Sequence, residues 1–502
     1  MNKYMVKLVF AVFCTSVVFI VGCIPERSLE WSADGSVGLL QYDNDFYLVD
    51  GESGALTEVA KGNVMPWPDI SDDGKLIAYC ERLECENLNE GLKLLPENHA
   101  RKIKSHAEWL KKEIIANGLH KGELPRLKKT RLSGSFGPGA EQEDTTSEYT
   151  KEYCAWVMRC LCETADDELT GKLTSEIVSD GKNLKLAYYR LIVAKREELS
   201  DKKVAATSVL AIFKAMFSPD SSHIAYLMIN PEGSDAGDLS DNMSYQLYIA
   251  SPKQNIAAMR VSHDVAFGYD WRQDGRAIAY IRGDMTNDAD MIFGELTEAN
   301  VVDANGILLA EKLDNPQGAL ATHICHGKRP SPVGVLFYPW SKLEYGPGGR
   351  IFFVNLALTL PATTYEDPPM SLFCYDTVTK TVNNVLPLNL SGYIGGAMEA
   401  FQFSLSQDGK SVLLPLENNR FMIYELGSRE PGLPIEEGEG FGDGDDMLSP
   451  AWKGKDEISC LVSEKSHFLV KEGQDKHHRK EFVILGADGK FQRVLSEKWA
   501  EW

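Results

Sequence analysis

Apolar and polar positions along this chain follow a recurring layout. Segments 29–40 (LEWSADGSVGLL), 69–79 (DISDDGKLIAY), 216–226 (MFSPDSSHIAY), 270–280 (DWRQDGRAIAY), 402–414 (QFSLSQDGKSVLL) and 450–461 (PAWKGKDEISCL) share it. Each sets an aromatic or aliphatic residue before Ser-x-Asp-Gly or a relative, then alternates apolar and polar residues. A looser copy lies at 338–354 (YPWSKLEYGPGGRIFFV). The layout predicts a short strand, a tight turn and a second strand. Gly accepts the positive φ such turns demand, Asp caps its own backbone, and the alternation buries one face of the second strand.

A further strand pair is predicted after several copies, at 45–59 (DFYLVDGESGALTEV), 246–261, 371–386 (SLFCYDTVTKTVNNVL) and 481–495 (EFVILGADGKFQRVL). Four strands per unit, repeated about every 50 residues, predict an all-β fold of the β-propeller type. The pattern x-Ser-x-Asp-Gly-x-x-Ile-Ala-Tyr, followed by a Leu-Tyr-x-x-Asp-like strand, resembles the TolB-type, WD-repeat-like propeller blade. The resemblance extends over nearly all of residues 27–502 apart from one interruption. It implies a fold and carries no particular partner with it.

Helical periodicity is concentrated at 97–117, where Ile103, Ala107, Leu110 and Ile114 form one apolar stripe and Gly118 stands at the C-cap position. Residues 122–148 are polar and glycine-bearing, and are read as a loop open to proteolysis. Residues 85–205 are therefore expected to form an α-helical insertion in the second blade, with propeller in 23–84 and 206–502. The remaining chain fits seven blades. Eight is the alternative, because 178–188 (VSDGKNLKLAY) could be a further copy. Seven is preferred, since the stretch between Tyr189 and Met216 shows no clear third strand.

The N-terminus reads as an address. In MNKYMVKLVFAVFCTSVVFIVGC, Lys3 and Lys7 precede an apolar run from Leu8 to Val21. The run is short for a bilayer span, which takes about 20 residues, and suits a secretory signal. Ile20-Val21-Gly22-Cys23 resembles the lipobox of bacterial lipoproteins. That resemblance implies removal of residues 1–22, acylation of Cys23 and stable anchoring by several acyl chains. Ile24 after the cysteine, where Asp would mark inner-membrane retention in that family, implies the outer membrane.

Charge narrows the partners. The 502 residues carry 73 acidic and 52 basic side chains, for a net charge of −21. Binding nucleic acid through general electrostatics needs clustered Lys and Arg, so it is not expected. Export would permit disulfides among Cys80, Cys85, Cys154, Cys160, Cys162, Cys325, Cys374 and Cys460, with buried thiols as the alternative. No Cys-x-x-Cys pair signals a redox motif or a zinc ribbon.

Local motifs for chemistry are missing from the sequence. There is no Gly-x-Ser-x-Gly elbow, Walker A loop, His-Glu-x-x-His or Rossmann glycine fingerprint. The elbow bears on enzymes of the prolyl-oligopeptidase type, which join such a propeller to an α/β-hydrolase domain; here repeat motifs run to Leu495. His323-x-Cys325-His326 offers metal-ligand types without a fourth ligand nearby, and 436–446 (EEGEGFGDGDD) is acidic but departs from EF-hand spacing. His477-His478-Arg479 reads as a solvated hairpin tip. Trp31, Trp271, Trp340 and Trp452 recur in register and are assigned to packing; Asp34, Asp73, Asp274 and Asp408 are assigned to turns. No catalytic, cofactor-binding or metal-binding residue is assigned, and Cys23, for lipidation, is the single site named.

These observations give a lipid-anchored propeller of the bacterial cell envelope that binds rather than catalyses. Its expected partners are the membrane, through the anchor, and a protein or another envelope component, with no cofactor and no nucleic acid. The alternative is an enzyme, such as a glycan lyase or hydrolase, with its site in the propeller channel. Inward-facing ionisable side chains with perturbed pKa values at one channel mouth would favour that alternative.

Overall fold

A computed structural model of the chain describes residues 27–42, 45–119, 128–130, 146–148, 151–229, 245–252, 258–284, 292–303, 306–312, 334–337, 342–356, 370–386, 403–416, 420–428, 433–434, 445–464 and 480–496. Residues 1–26 with Cys23, Trp340, the His323-x-Cys325-His326 group, His477, His478, and most of 122–148 and 436–446 lie outside the described residues.

The described chain is mostly antiparallel β-sheet, and its strands pair largely in sequence order. The first sheet comprises Arg27–Trp31, Val37–Tyr42, Asp45–Asp50 and Leu56–Lys61. The second comprises Val64–Ile70, Leu76–Cys85, Leu186–Lys195 and Glu198–Ser208. An eight-stranded sheet follows, running from Ile212–Phe217 to Gly306–Lys312, with Gly334–Phe337 paired beside its path. Its long strand Met259–Trp271 pairs with Tyr245–Ala250 through its first half and with Ala277–Asp284 through its second; the register shifts between Val265 and Tyr269. That strand thus joins a leading and a trailing set of four. The fourth sheet begins at Leu343–Gly346, the fifth at Ser404–Leu405 and the last at Asp445–Lys453.

The Ser-x-Asp-Gly segments form the expected turns. In the first, Asp34 Oδ1 accepts from Ser36 N at 2.9 Å and from Ser32 Oγ at 2.8 Å, which holds its carboxyl below the ordinary range, and Gly35 has φ 69°. The same bonding recurs at Asp73, Asp220 and Asp408. Ser221 takes the glycine position of one copy and carries φ 55°, a left-handed conformation that costs an L-residue energy.

Successive sheets share apolar cores, because side chains alternate faces along a strand. Leu39 packs toward the second sheet with Ile77 and Tyr79, whereas Leu40 packs toward the last sheet with Leu461 and Ile484. Ile278 and Tyr280 pack with the leading half of the eight-stranded sheet, while Ala279 and Ile281 pack with Ile351 and Phe353 of the fourth. Strands buried on both faces therefore read as near-continuous apolar runs, as in the Ile-Ala-Tyr repeats. The cores continue from fourth to fifth sheet and from fifth to last. With Leu40 against Leu461, the last sheet meets the first.

The helices Leu88–Leu94, Glu97–Asn117, Lys151–Glu163, Asp167–Thr170 and Ser175–Lys182 all lie between the neighbouring strands Leu76–Cys85 and Leu186–Lys195. Glu97–Asn117 buries the expected stripe of Ile103, Ala107, Leu110 and Ile114, and Gly118 N donates to Ile114 O at 2.8 Å with φ 68°. The sequence reading missed Lys151–Glu163, although Tyr153, Trp156, Val157, Cys160 and Leu161 make a helical stripe and are all buried.

Two expectations about this region are corrected. The boundary at 205 falls inside a strand, because Leu186–Lys195 and Glu198–Ser208 complete the second sheet. The first of these is buried on both faces and the second is a polar outer strand, so neither shows the half-buried alternation that marks the other strands. Segment 178–188 is not a further repeat: its Asp-Gly pair lies in the helix Ser175–Lys182. Gly181 is needed there because a Cβ would come within 2.3 Å of Cys162 Sγ.

The cysteines Cys80, Cys160, Cys162, Cys374 and Cys460 are buried thiols, and burial raises all five in pKa. Among the described residues no helix is long and apolar enough to cross a membrane.

Candidate functional site

The first strand of each sheet, and the long strand Met259–Trp271 within the eight-stranded one, carries the residue that precedes the recurring aromatic or aliphatic position. In four copies that residue is acidic: Glu30, Asp69, Asp270 and Glu344. Strand alternation turns it away from the face that packs the Trp or its equivalent. Two positions earlier stand Lys214 and Lys342 in their copies.

Three of these carboxylates lace one sheet to the next. Asp69 Oδ2 accepts from Phe217 N at 2.6 Å, Asp270 Oδ2 from Tyr345 N at 2.6 Å, and Glu344 Oε2 from Leu405 N at 2.7 Å. Each satisfies a backbone donor on the first strand of the following sheet. Glu30 makes no hydrogen bond among the described residues. It is solvent-accessible, yet protein surrounds it closely enough to disfavour its charge.

Lys214 is the most confined of the set. It is buried, and its Nζ donates to Phe267 O at 3.2 Å and Tyr269 O at 3.4 Å. The ammonium lies 4.8 Å from the Phe267 ring centroid and 4.5 Å from that of Tyr269, within cation–π range. The Tyr269 hydroxyl donates to the Lys214 carbonyl. Lys214 has φ 41° at a register shift between Phe213 and Met216, and Trp67 has φ 63° at the matching shift in Val64–Ile70. Such conformations cost on the order of 1–3 kcal/mol each and persist only where surrounding packing enforces them. The Trp67 ring lies 4.5 Å from that of Phe267, so both bulges meet the same aromatic.

The charges act on one another although they come from different sheets. Burial raises Asp270 to about 7, partly offset by the bond from Tyr345 N, while Glu344 adds to the rise. Burial, assisted by the neighbouring charge of Lys342, lowers Lys214 to about 8. Burial raises Asp69 well above the usual range and raises Glu30; Lys342 and Lys214 oppose the latter shift. Burial works against the Lys342 ammonium, but its ion pair with Glu344 and the charges of Glu30 and Asp270 hold its pKa above the ordinary value. Glu30 on the first sheet feels Lys342, just before the first strand of the fourth, and Lys214 on the eight-stranded sheet.

The residues singled out in the sequence fall elsewhere. Trp31, Trp271 and Trp452 are packing residues, as expected, and their indole N–H groups reach Ser459 Oγ of the last sheet at 2.7 Å, Met216 O of the leading half of the eight-stranded sheet at 3.2 Å and Ser404 O of the fifth sheet at 3.0 Å respectively. Asp34, Asp73, Asp274 and Asp408 are turn residues. Among the described residues no three His, Cys, Asp or Glu side chains converge to hold a metal ion. The charged centre was missed by motif searching because its members are far apart in sequence. The signal was the acidic residue recurring just before the aromatic position.

No protein-family model matches the chain, and no curated protein matches it. Solved structures do. TolB from Acinetobacter baumannii is 15% identical over 60% of this chain and 58% of its own, with a TM-score of 0.32. A putative TolB from Agrobacterium tumefaciens is 11% identical over 59% of this chain and 84% of its own, with a TM-score of 0.33. A structure from a study of two prolyl endopeptidases is 10% identical over 93% of this chain, with a TM-score of 0.43; the chain spans 49% of that protein's length.

Proposed function

We propose that these sheets are the blades of a closed, seven-bladed β-propeller, the eight-stranded sheet supplying two, with residues 86–185 inserted in the second blade. In this reading the chain is a lipoprotein held in the bacterial envelope through Cys23. It acts as a binding protein whose partner, a protein or another envelope component, meets the ring at its charged centre. The observation that carries the reading is Glu30. Three carboxylates of the set are committed to neighbouring backbone, whereas Glu30 is solvent-accessible and stands among Lys342, Glu344 and Lys214. A charged group held in a partly desolvated setting interacts more strongly with a partner than one in bulk water. Cross-linking in intact envelopes tests this: Glu30→Arg should abolish capture of the partner that the native protein retains. Equal capture by native and Glu30→Arg proteins would refute it.

A second reading, an enzyme acting in the same channel, is favoured by one observation. Asp270 and Lys214 titrate at about 7 and about 8, close to where acid–base groups are effective. Turnover of envelope glycan fragments that is lost in Lys214→Met would select this reading over binding.

A further inference from the structure

We propose that the outer face of the helix Glu97–Asn117, centred on Trp109, lies against the bilayer as a second contact beside the lipid anchor, with anionic lipid headgroups as its ligand. The proposal rests on the reading of Cys23 as a lipidated residue, and adds which surface of the protein meets the membrane. The backbone places helix and anchor on one side. Gln41 Oε1 accepts from Ser28 Oγ at 3.2 Å and from Trp67 N at 3.0 Å, while Ala33 N donates to Asp72 O at 3.0 Å. Arg27–Trp31 and Val64–Ile70 therefore run side by side in the same direction. Val64 is the register partner of Glu81, and the strand Leu76–Cys85 continues past that pair to Cys85, where the helices leave the sheet. The helices thus stand on the side where Arg27 opens the first strand. Arg27 follows Cys23 by four positions, a reach of at most about 14 Å, so an anchor at Cys23 brings that side to the bilayer.

The helix carries the chemistry of a membrane interface. Its stripe of Ile103, Ala107, Leu110 and Ile114 shares a core with Tyr153 and Trp156 of Lys151–Glu163, and Trp156 ties that second helix to the sheet through its bond to Ala187 O. The opposite face bears Trp109, which is 41% exposed. Exposed Lys102 and Lys112 flank it, about two turns before and about one turn after. An indole between lysines suits the headgroup layer, where the ring is partly solvated and the ammonium groups meet lipid phosphates. The helix has more basic than acidic side chains within a chain of net charge −21, so it is drawn to an anionic surface that repels the chain as a whole. The turns at Asp34 and Asp73 close the other ends of the same first strands and face away from the bilayer, open to a partner.

Fluorescence quenching by vesicles of brominated phosphatidylglycerol tests this on the full chain held by its native anchor. Native protein should be quenched, and Trp109→Phe should lose that quenching. Lys102→Glu combined with Lys112→Glu should reduce it roughly twofold or more, and raised salt should act in the same direction. Equal quenching of native and Trp109→Phe proteins, both acylated and with native melting curves, overturns the membrane contact and leaves the anchoring reading intact. Trp109-dependent cross-linking to a protein, without quenching, also overturns it and assigns the face to a protein partner. A chain without acyl groups that still shows Trp109-dependent quenching when mixed with the vesicles ends the anchoring reading and leaves the helix contact standing. Absence of both acylation and quenching overturns both.

Discussion

The indole nitrogen of Trp31 donates to Ser459 Oγ at 2.7 Å, across 428 residues of sequence. This bond ties the first sheet to the last. The Trp31 ring also stacks on Phe482, with centroids 6.1 Å apart and planes 2° apart, and Lys453 Nζ lies 5.5 Å from the Trp31 ring centroid. Leu29, Leu40 and Tyr47 share a core with Leu461, Ile484 and Leu495 at the same seam.

That seam should carry the stability of the whole fold. Trp31→Phe keeps an aromatic ring but loses the bond to Ser459, at an expected cost of about 1 kcal/mol. Deleting residues 481–502 removes Phe482, Ile484 and Leu495 from the seam and leaves an open sheet edge, so unfolding or aggregation is expected. Thermal melts and sizing of both variants check this; a cooperative, monomeric melt of the truncation at the native temperature would contradict closure through this segment.

Asp270 should leave a signature in the pH dependence of stability. Its folded pKa, about 7, lies above its ordinary value of 3.8, so between those values the folded state binds more protons than the unfolded one. The contribution is therefore favourable below the unfolded pKa and is lost as pH rises through about 7. Asp270→Asn removes one of the acceptors for Tyr345 N and Trp271 N, and should destabilise by about 1–3 kcal/mol at acidic pH. The deficit should shrink at about pH 8, where the native protein bears a buried charge. Denaturant titrations at the two pH values give the comparison.

The helical excursion should be separable from the sheets. Cys85 and Leu186 are register partners at its base, so the chain leaves and re-enters the second sheet at one point. Replacing residues 86–185 by a two-residue Asn-Gly turn should leave a folded β-protein by circular dichroism, with a lower melting temperature because the helices share a core with Leu191 and Tyr226. In the intact chain, Trp156→Ala should cost about 3–5 kcal/mol. Trp156 is fully buried, and its indole donates to Ala187 O at 2.7 Å. A shortened chain that fails to fold would show that the helices are integral to the sheets.

The proposed lipid anchoring is tested at Cys23. Cys23→Ala should accumulate with its leader attached or appear without lipid, and should leave the detergent phase in partitioning experiments. Mass spectrometry distinguishes the two forms, and native mass and partitioning in the variant would end the lipoprotein reading.

The local rules of the chain were legible in its sequence. Asp34-Gly35 and its relatives dictate tight turns because an Asx side chain caps the backbone and glycine tolerates a positive φ. The stripe from Ile103 to Ile114 dictates one amphipathic helix, since a period of 3.6 residues aligns those positions on one face. The extent of the excursion was not legible. Leu186–Lys195 is buried on both faces and Glu198–Ser208 is largely polar, and only pairing with Leu76–Cys85 and its neighbours makes them strands of the second sheet. The charged centre is tertiary for the same reason. Glu30, Lys214 and Asp270 are strand residues and Lys342 directly precedes a strand, and none stands out one at a time. Their altered protonation arises from burial and from charges on other sheets, and those distances exist only once the sheets have packed around one another.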